Sequence, residues 1–312
     1  MKLRHQAPAM TDFEDCSYLL RKVDDAPEPL RAPLREALPI SGAEIMIYTP
    51  PCRANRFTHG PSVLTIMSDS WACIEHTVRG ENAIVRSDFS RTMFIELTEV
   101  LLSGALRIHF EDGPVVRSVA LAFNTVRENM YLDAVQRLLH GMNGIPPGPA
   151  VDRNEDLPVL EALPLKFRNS AWSAALSDEH VRTVTHWPAT TVGYNKLFQI
   201  ELAPEAMFLL GDHELIFVAE EKANGLLHVG RENKYGDVST YLPLARLHEY
   251  RFVEGAGQLD RLELGIGCRS TTEKLLVEYP YSQRIPIQDI IERVFREKGE
   301  GTQRLMNAKP TG

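Results

Sequence analysis

The stretch Phe123-Asn-Thr-Val-Arg-Glu-Asn-Met-Tyr-Leu-Asp-Ala-Val-Gln-Arg-Leu-Leu139 changes periodicity part-way, and that change decides how the chain is read. Just upstream, Val115–Phe123 is a short run rich in β-branched and apolar residues, the composition of a strand. From Arg127 to His140 the period becomes helical: Leu132, Val135, Leu138 and Leu139 share one face, and Gly141 is the expected stop. A strand leading into one amphipathic helix is how an α+β unit ends.

The same pattern recurs 156 residues later, where Tyr279-Pro-Tyr-Ser-Gln-Arg-Ile-Pro-Ile-Gln-Asp-Ile-Ile-Glu-Arg-Val-Phe295 aligns without a gap. Asp133 meets Asp289, Arg137 meets Arg293, and Leu106 and Ile108 meet Leu262 and Leu264. In this copy Pro286 is the expected first helical residue and Gly299 the expected stop. An offset of 143 pairs Ser68-Asp69 with Gly211-Asp212, and Glu36-Ala-Leu-Pro39 recurs as Glu161-Ala-Leu-Pro164. Changes of offset are loop insertions, which cost little closure entropy.

Working outward, strands are expected at Glu44–Tyr48, Ser62–Met67, Trp71–Val78, Ala83–Val85, Thr92–Leu97, Ala105–Phe110 and Val115–Phe123. The second half repeats them at Phe198–Leu202, Met207–Leu210, Glu214–Glu220, Val238–Leu244, Tyr250–Val253, Leu259–Ile266 and Lys274–Tyr279. Asp12–Leu38 reads as helical in pieces. Gly141-Met-Asn-Gly-Ile-Pro-Pro-Gly-Pro149 can continue neither helix nor strand and reads as a linker. The expected division is a helical lead-in over 1–38, a first domain over 39–141, a linker over 142–158, a second domain over 159–298 and a frayed tail over 299–312. The fold class expected is α+β: two β-barrel-plus-C-terminal-helix domains in tandem, an internal duplication.

Composition excludes several classes. The 312 residues suit two domains. No apolar run reaches the roughly 18–20 residues that span a bilayer, and Met1–Met10 has no signal-peptide core. Residues 1–150 hold 15 basic and 18 acidic side chains, and the remainder 19 and 24. Neither half is basic, which argues against general nucleic-acid binding. Cys16, Cys52, Cys73 and Cys268 form no disulfide or zinc spacing, which suggests reduced thiols in a cytoplasmic protein. Cys73, in an apolar strand, reads as core, and Cys52 beside Arg53 as a thiol favoured toward thiolate.

Seven short strands followed by one amphipathic helix is an order similar to that of the pleckstrin-homology-like superfold. Gly211-Asp-His-Glu-Leu-Ile-Phe-Val218, Tyr241-Leu-Pro-Leu244 and the helix Ile287–Phe295 resemble bacterial pleckstrin-homology-like domains of unassigned function. The first half joins the resemblance through Met67-Ser-Asp69 and Phe123-Asn-Thr-Val126. It covers most of 43–141 and 195–298 and implies a bent sheet plugged by the helix, in a superfold that serves lipid, peptide and protein recognition alike. In lipid-binding members a basic loop between the first two strands grips phosphates. The corresponding stretch here, Pro50–His59, carries Arg53, Arg56 and His59 with no acid expected nearby, so these three are the candidate anion-binding residues. The matching stretch of the second half, Thr183–Asn195, offers only His186. A similarity to PilZ domains, through the same arginines and Asp88-Phe-Ser90, departs at Met93, where that family has glycine.

Chemical signatures are sparse. There is no phosphate-cradling glycine loop, no nucleophile elbow and no His-Glu-x-x-His, and His180 and His186 stand six apart, unsuited to one metal-binding helix face. The Asp152–Asp156 cluster and Glu220-Glu221 read as solvated surface, and Ser177-Asp-Glu-His between Trp172 and Trp187 as a short capped helix. No catalytic residue, metal or cofactor is implied. The expected function is a non-enzymatic binding or scaffolding protein taking a protein or small anionic ligand. The alternatives are a peripheral protein reading a phospholipid headgroup or nucleotide second messenger through Arg53 and Arg56, and an enzyme of a type not recognised.

Overall fold

The computed structural model describes residues 16–38, 42–54, 57–77, 79–100, 102–194, 198–220, 236–255, 258–268 and 271–307, with backbone alone for 52–58, 193–200 and 299–307 within those spans. The chain is a mixed α+β structure of several open sheets, which do not close into a barrel.

The first half begins with β1 (Tyr18–Leu19), α1 (Glu28–Ala37), β2 (Ile45–Thr49), and a hairpin of β3 (Cys52–Ala54) and β4 (Phe57–His59). It continues with β5 (Ser62–Ile66), β6 (Ser70–His76), β7 (Asn82–Asp88), β8 (Thr92–Val100), β9 (Ser103–Asp112), β10 (Val115–Asn124) and α2 (Glu128–Asn143). After α3 (Leu157–Leu160), the second half runs α4 (Leu165–Ala174), β11 (Thr183–Trp187), the hairpin β12 (Thr190–Tyr194) and β13 (Phe198–Ala203), β14 (Ala206–Leu210) and β15 (Glu214–Glu220). It ends with β16 (Gly236–Pro243), β17 (Leu247–Val253), β18 (Leu259–Gly267), β19 (Thr272–Pro280) and α5 (Arg284–Asn307).

The order of elements therefore recurs step by step. A 3₁₀ turn separates β7 from β8 (Phe89–Arg91) and β16 from β17 (Leu244–Arg246). Each following strand then bulges at its start, between Thr92 and Phe94 and between Leu247 and Glu249. Leu97 lies opposite Leu106 and Phe252 opposite Leu262, so β18 keeps the spacing of 156 read from the sequence while β17 follows β8 at 155. The spacing of 143 is one residue short. The N–H of Met67 donates to Ser70 O, and that of Gly211 to Glu214 O, so the turns correspond 144 apart. The recurring Glu-Ala-Leu-Pro is not equivalent in place: Glu36 lies in the last turn of α1, whereas Glu161–Pro164 precedes α4.

What joins the halves is a strand pair. β8 and β16 run antiparallel from Ile95 opposite Tyr241 to Val100 opposite Gly236, making one seven-stranded sheet ordered β10-β9-β8-β16-β15-β14-β11. Side chains alternate across it. Met207, Leu209, Ile216 and Val218 face a core shared with Leu64, Trp71, Ile108 and Leu138, while Phe208, Leu210 and Leu215 face a second core with Leu262, Ile287 and Ile291. Met93 and Phe94 of the first half belong to that second core. A smaller core lies under α1, where Leu30 and Leu34 meet Val63 and Ile74. Cys73 is buried as expected, and burial pushes its thiol up to about 12.

Several local expectations shift. Gly141 does not stop α2, which runs on to Asn143; a Cβ at 141 would meet the Phe89 ring at 2.3 Å. Its role is close approach, and Gly144 ends the helix with φ 67°. α5 starts at Arg284 and continues through Gly299 to Asn307; Pro286 sits within its first turn, where an N–H has no helical acceptor. Ser17–Val23 contributes β1, paired on β2, rather than helix. Ser177–His180 is a turn.

Gly60 is required by packing. A Cβ there would stand 1.7 Å from the carbonyl oxygen of His76, on the neighbouring backbone. Gly60→Ala is expected to cost about 3 kcal/mol or more, since backbone rather than a flexible side-chain end must move. Chemical denaturation measures this, and a midpoint within error of the parent would refute it.

Candidate functional site

Of the first candidate set, the structure describes the Arg53 backbone and His59. Arg53 is on β3 with its Cα opposite Thr58, and His59 ends β4 opposite Cys52; Arg56 and the Arg53 side chain lie outside the described residues. One expectation changes. An acid does stand by this hairpin, because Glu75 of β6 accepts a hydrogen bond from the Gly60 N–H at 3.1 Å.

A cavity of about 370 Å³ opens at the seam between the halves, within the size range of ligand pockets. Asn129, Asp133 and Gln136 form one wall, at the spacing of a single face of α2. Trp172 and Ser173 near the end of α4 form another, Arg153 flanks it, and Tyr241 of β16 also lines it.

Two donors on its lining are unsatisfied. Arg153 reaches across to the end of α4, where its Nη2 donates to the carbonyls of Ala175, at 2.7 Å, and Leu176. Its Nη1 is shielded from solvent and has no partner, and its guanidinium lies 6.0 Å from the Trp172 ring centroid. The Tyr241 hydroxyl is likewise buried without a partner. Burial, with Glu99, Asp237 and Glu128 nearby, holds its proton on well above the usual phenol range.

Those carboxyls form a layer beneath α4. Glu99 and Asp237 face each other across β8 and β16. Ser170 Oγ donates to Asp237 at 2.5 Å, and Ser173 Oγ to Glu128 at 3.3 Å. Burial, then the adjacent Glu128, pushes the Glu99 carboxyl up to about 8.

Beyond the cavity, the turn at Ser177–His180 fastens the seam. Asp178 accepts from the Gly148 N–H at 2.7 Å, from Gln136 Nε2 at 3.1 Å and from His140 Nε2 at 2.9 Å. Burial alone would raise its carboxyl, but the Gly148 N–H and His140 hold it below the usual range. Glu179 accepts from the Asp212 N–H, the His213 N–H and His213 Nδ1 at 3.0, 3.1 and 2.8 Å. Glu214, 1% exposed, accepts from Asn143 Nδ2 at 2.6 Å. Burial, then hydrogen bonding to Glu179, pushes the Glu214 carboxyl up to about 10.

The residues sequence reading singled out elsewhere have structural partners. His180 bonds Asp156 at 3.0 Å and His186 bonds Glu205 at 2.8 Å, so the two histidines share no ligand set. Asp156 is 2% exposed, not solvated surface. Glu220 pairs with Lys166, and Glu221 lies outside the described residues. Trp187 is buried against Phe208 and Phe217, whereas Trp172 is 43% exposed at the cavity. Among the described residues no three His, Cys, Asp or Glu side chains gather as metal ligands, and no helix is long and apolar enough to cross a membrane. The seam therefore gathers Trp172, Arg153 and Tyr241 around a small concave space. No protein-family model matches the chain, and no curated protein matches it either.

Proposed function

We propose that the chain is a non-catalytic binding protein built from two copies of a pleckstrin-homology-like unit, with its ligand seat at the seam between them. The recurrence of element order, bulge and 3₁₀ turn supports the duplication. The observation that carries the binding reading is the pair of buried, unpartnered donors, Arg153 Nη1 and Tyr241 OH, on two residues that line a cavity together with Trp172. Leaving such groups unpaired costs about 1–3 kcal/mol each, a cost that an acceptor-bearing ligand relieves. The ligand class that fits is a small, flat, acceptor-rich molecule, stacked on the indole and held by two donors.

Tyr241→Phe tests this directly. Removing an unsatisfied buried hydroxyl is expected to leave the free protein unchanged or up to about 1 kcal/mol more stable. The same change, like Arg153→Gln, is expected to abolish the shifts that carboxylate and heteroaromatic fragments cause in ligand-observed NMR. Fragment binding that is equal in parent and variants would refute the seam as the seat.

A second reading rests on the β3–β4 hairpin, which sets Arg53 on β3 with its Cα opposite Thr58, and on Arg56, three residues further along the sequence. There the ligand is an anionic headgroup or nucleotide. Flotation with anionic vesicles that is lost in Arg53→Ala/Arg56→Ala supports it, and unchanged flotation removes it.

A further inference from the structure

The pairing of β8 with β16 leaves two strands in an unusual position. β8 opens the three-stranded set β8, β9 and β10 of the first half, and β16 closes the set β14, β15 and β16 of the second. Their counterparts in the repeated order are β17 and β7. Among the described residues each of these is a sheet edge: β7 pairs with β6 alone, and β17 with β18 alone. The two edges are seven residues each, free of proline, and Ile84 on β7 is 41% exposed and Tyr250 on β17 36% exposed. Natural sheets rarely leave such edges unprotected.

We propose that β7 of one chain pairs with β17 of a second copy, repeating between chains the junction that β8 and β16 make within one. The register follows from the internal pair. The 3₁₀ turns Phe89–Arg91 and Leu244–Arg246 correspond, so Ser239 opposite Leu97 becomes Ile84 opposite Phe252. Tyr241 opposite Ile95 becomes Arg86 opposite Tyr250, and Asp237 opposite Glu99 becomes Asn82 opposite Glu254. Each new pair is compatible: an apolar contact, a cation against a ring, and an amide donor against a carboxylate.

A second, independent contact has its counterpart too. Within the chain, Arg246 Nη2 donates to the Phe89 carbonyl at 2.9 Å, locking one 3₁₀ turn to the other. The residue in the place of Arg246 is Arg91, one-third exposed and only loosely paired with Asp112 at 3.8 Å. In the assembly it reaches the Leu244 carbonyl of the second copy. Each turn thus gives its arginine in one direction and its carbonyl in the other. Two copies satisfy both free edges by closing on each other. The inference uses the observed order of elements and stands whether or not the seam cavity binds a ligand.

The test is a disulfide trap on the full chain. Ile84→Cys and Phe252→Cys chains are mixed under mild oxidation, with the parent and each variant alone as controls, because paired strands bring Cα atoms to the separation a disulfide needs. The expected result is a covalent heterodimer specific to the mixture, and a light-scattering mass twice the 35.1 kDa chain that Ile84→Lys halves while leaving the circular dichroism spectrum unchanged. A mass of one chain at every concentration, or an intrachain disulfide in Ile84→Cys/Phe252→Cys on a monomer, overturns it.

Discussion

Lowering the pH from about 8 to about 5 is expected to stabilise the protein, and Glu214→Gln to remove most of that gain. Glu214 is protonated in the folded chain up to about 10, whereas an unfolded glutamate loses its proton near 4.5. Between those values the folded state binds more protons, so stability falls as pH rises. The contribution is fully present below the unfolded value and gone above the folded one. The slope for one such group is about 1.4 kcal/mol per pH unit at its steepest. Glu99, held up at about 8, acts in the same direction over a narrower window. Asp178 acts oppositely: its carboxyl is held low, so its share is present above the unfolded value and is lost only in stronger acid. Gln at 214 is neutral at every pH, and Glu179 can accept from its amide. The variant is therefore expected to exceed the parent at pH 8 by about 1–3 kcal/mol and to show a flattened profile. Thermal melts across the pH series decide it, and a Gln variant with the parent's slope would remove Glu214 from the account.

Asp178→Ala is expected to cost about 3–5 kcal/mol, the largest effect of any single polar substitution at the seam. Its carboxylate is the shared acceptor for Gln136, His140 and Gly148, so truncation takes the acceptor from His140 of α2 and from the Gly148 N–H of the linker together, while Gln136 keeps Ser177 Oγ. His140 is 3% exposed, and its Nδ1 already has no partner. Asp178→Asn keeps an oxygen for the Gly148 N–H but turns an amide toward the other donors, and is expected to lose about half as much. Urea denaturation of both variants measures this. Equal, small losses would show that the linker is held by its neighbours instead.

The strands β9 and β18 were legible because Ala105–Phe110 and Leu259–Ile266 alternate apolar side chains, and because the helices at Arg127 and Pro286 follow at one spacing. β11, β12 and the β3–β4 hairpin were not, since Thr183–Tyr194 and Cys52–His59 carry threonine, histidine and arginine without alternation. Their pairing is decided by neighbours such as β14, which supplies the apolar face. Ser177-Asp-Glu carries the composition of a helix start, yet Gly148, His140 and the β14–β15 turn claim both acids, and tertiary partners outweigh a cap. The cavity was illegible for a related reason. Its walls come from 129–136, 150–153, 172–177 and Tyr241, and each segment alone is ordinary. Arg53, Arg56 and His59 stood out because they are contiguous, and contiguity is what sequence displays best.

The β8–β16 pair also bears on synthesis. Ile95 waits for Tyr241, so a nascent chain completes its first half with β8 lacking its outer neighbour until residues well past 200 have been made. During that interval the emerging first half carries an unpaired edge and an uncovered patch of what becomes a shared core. Truncation after the linker freezes the chain in that state, so a fragment ending near Pro149 is expected to aggregate on expression where the full chain stays in solution. The boundary that looks like a natural place to cut is one at which neither piece is finished.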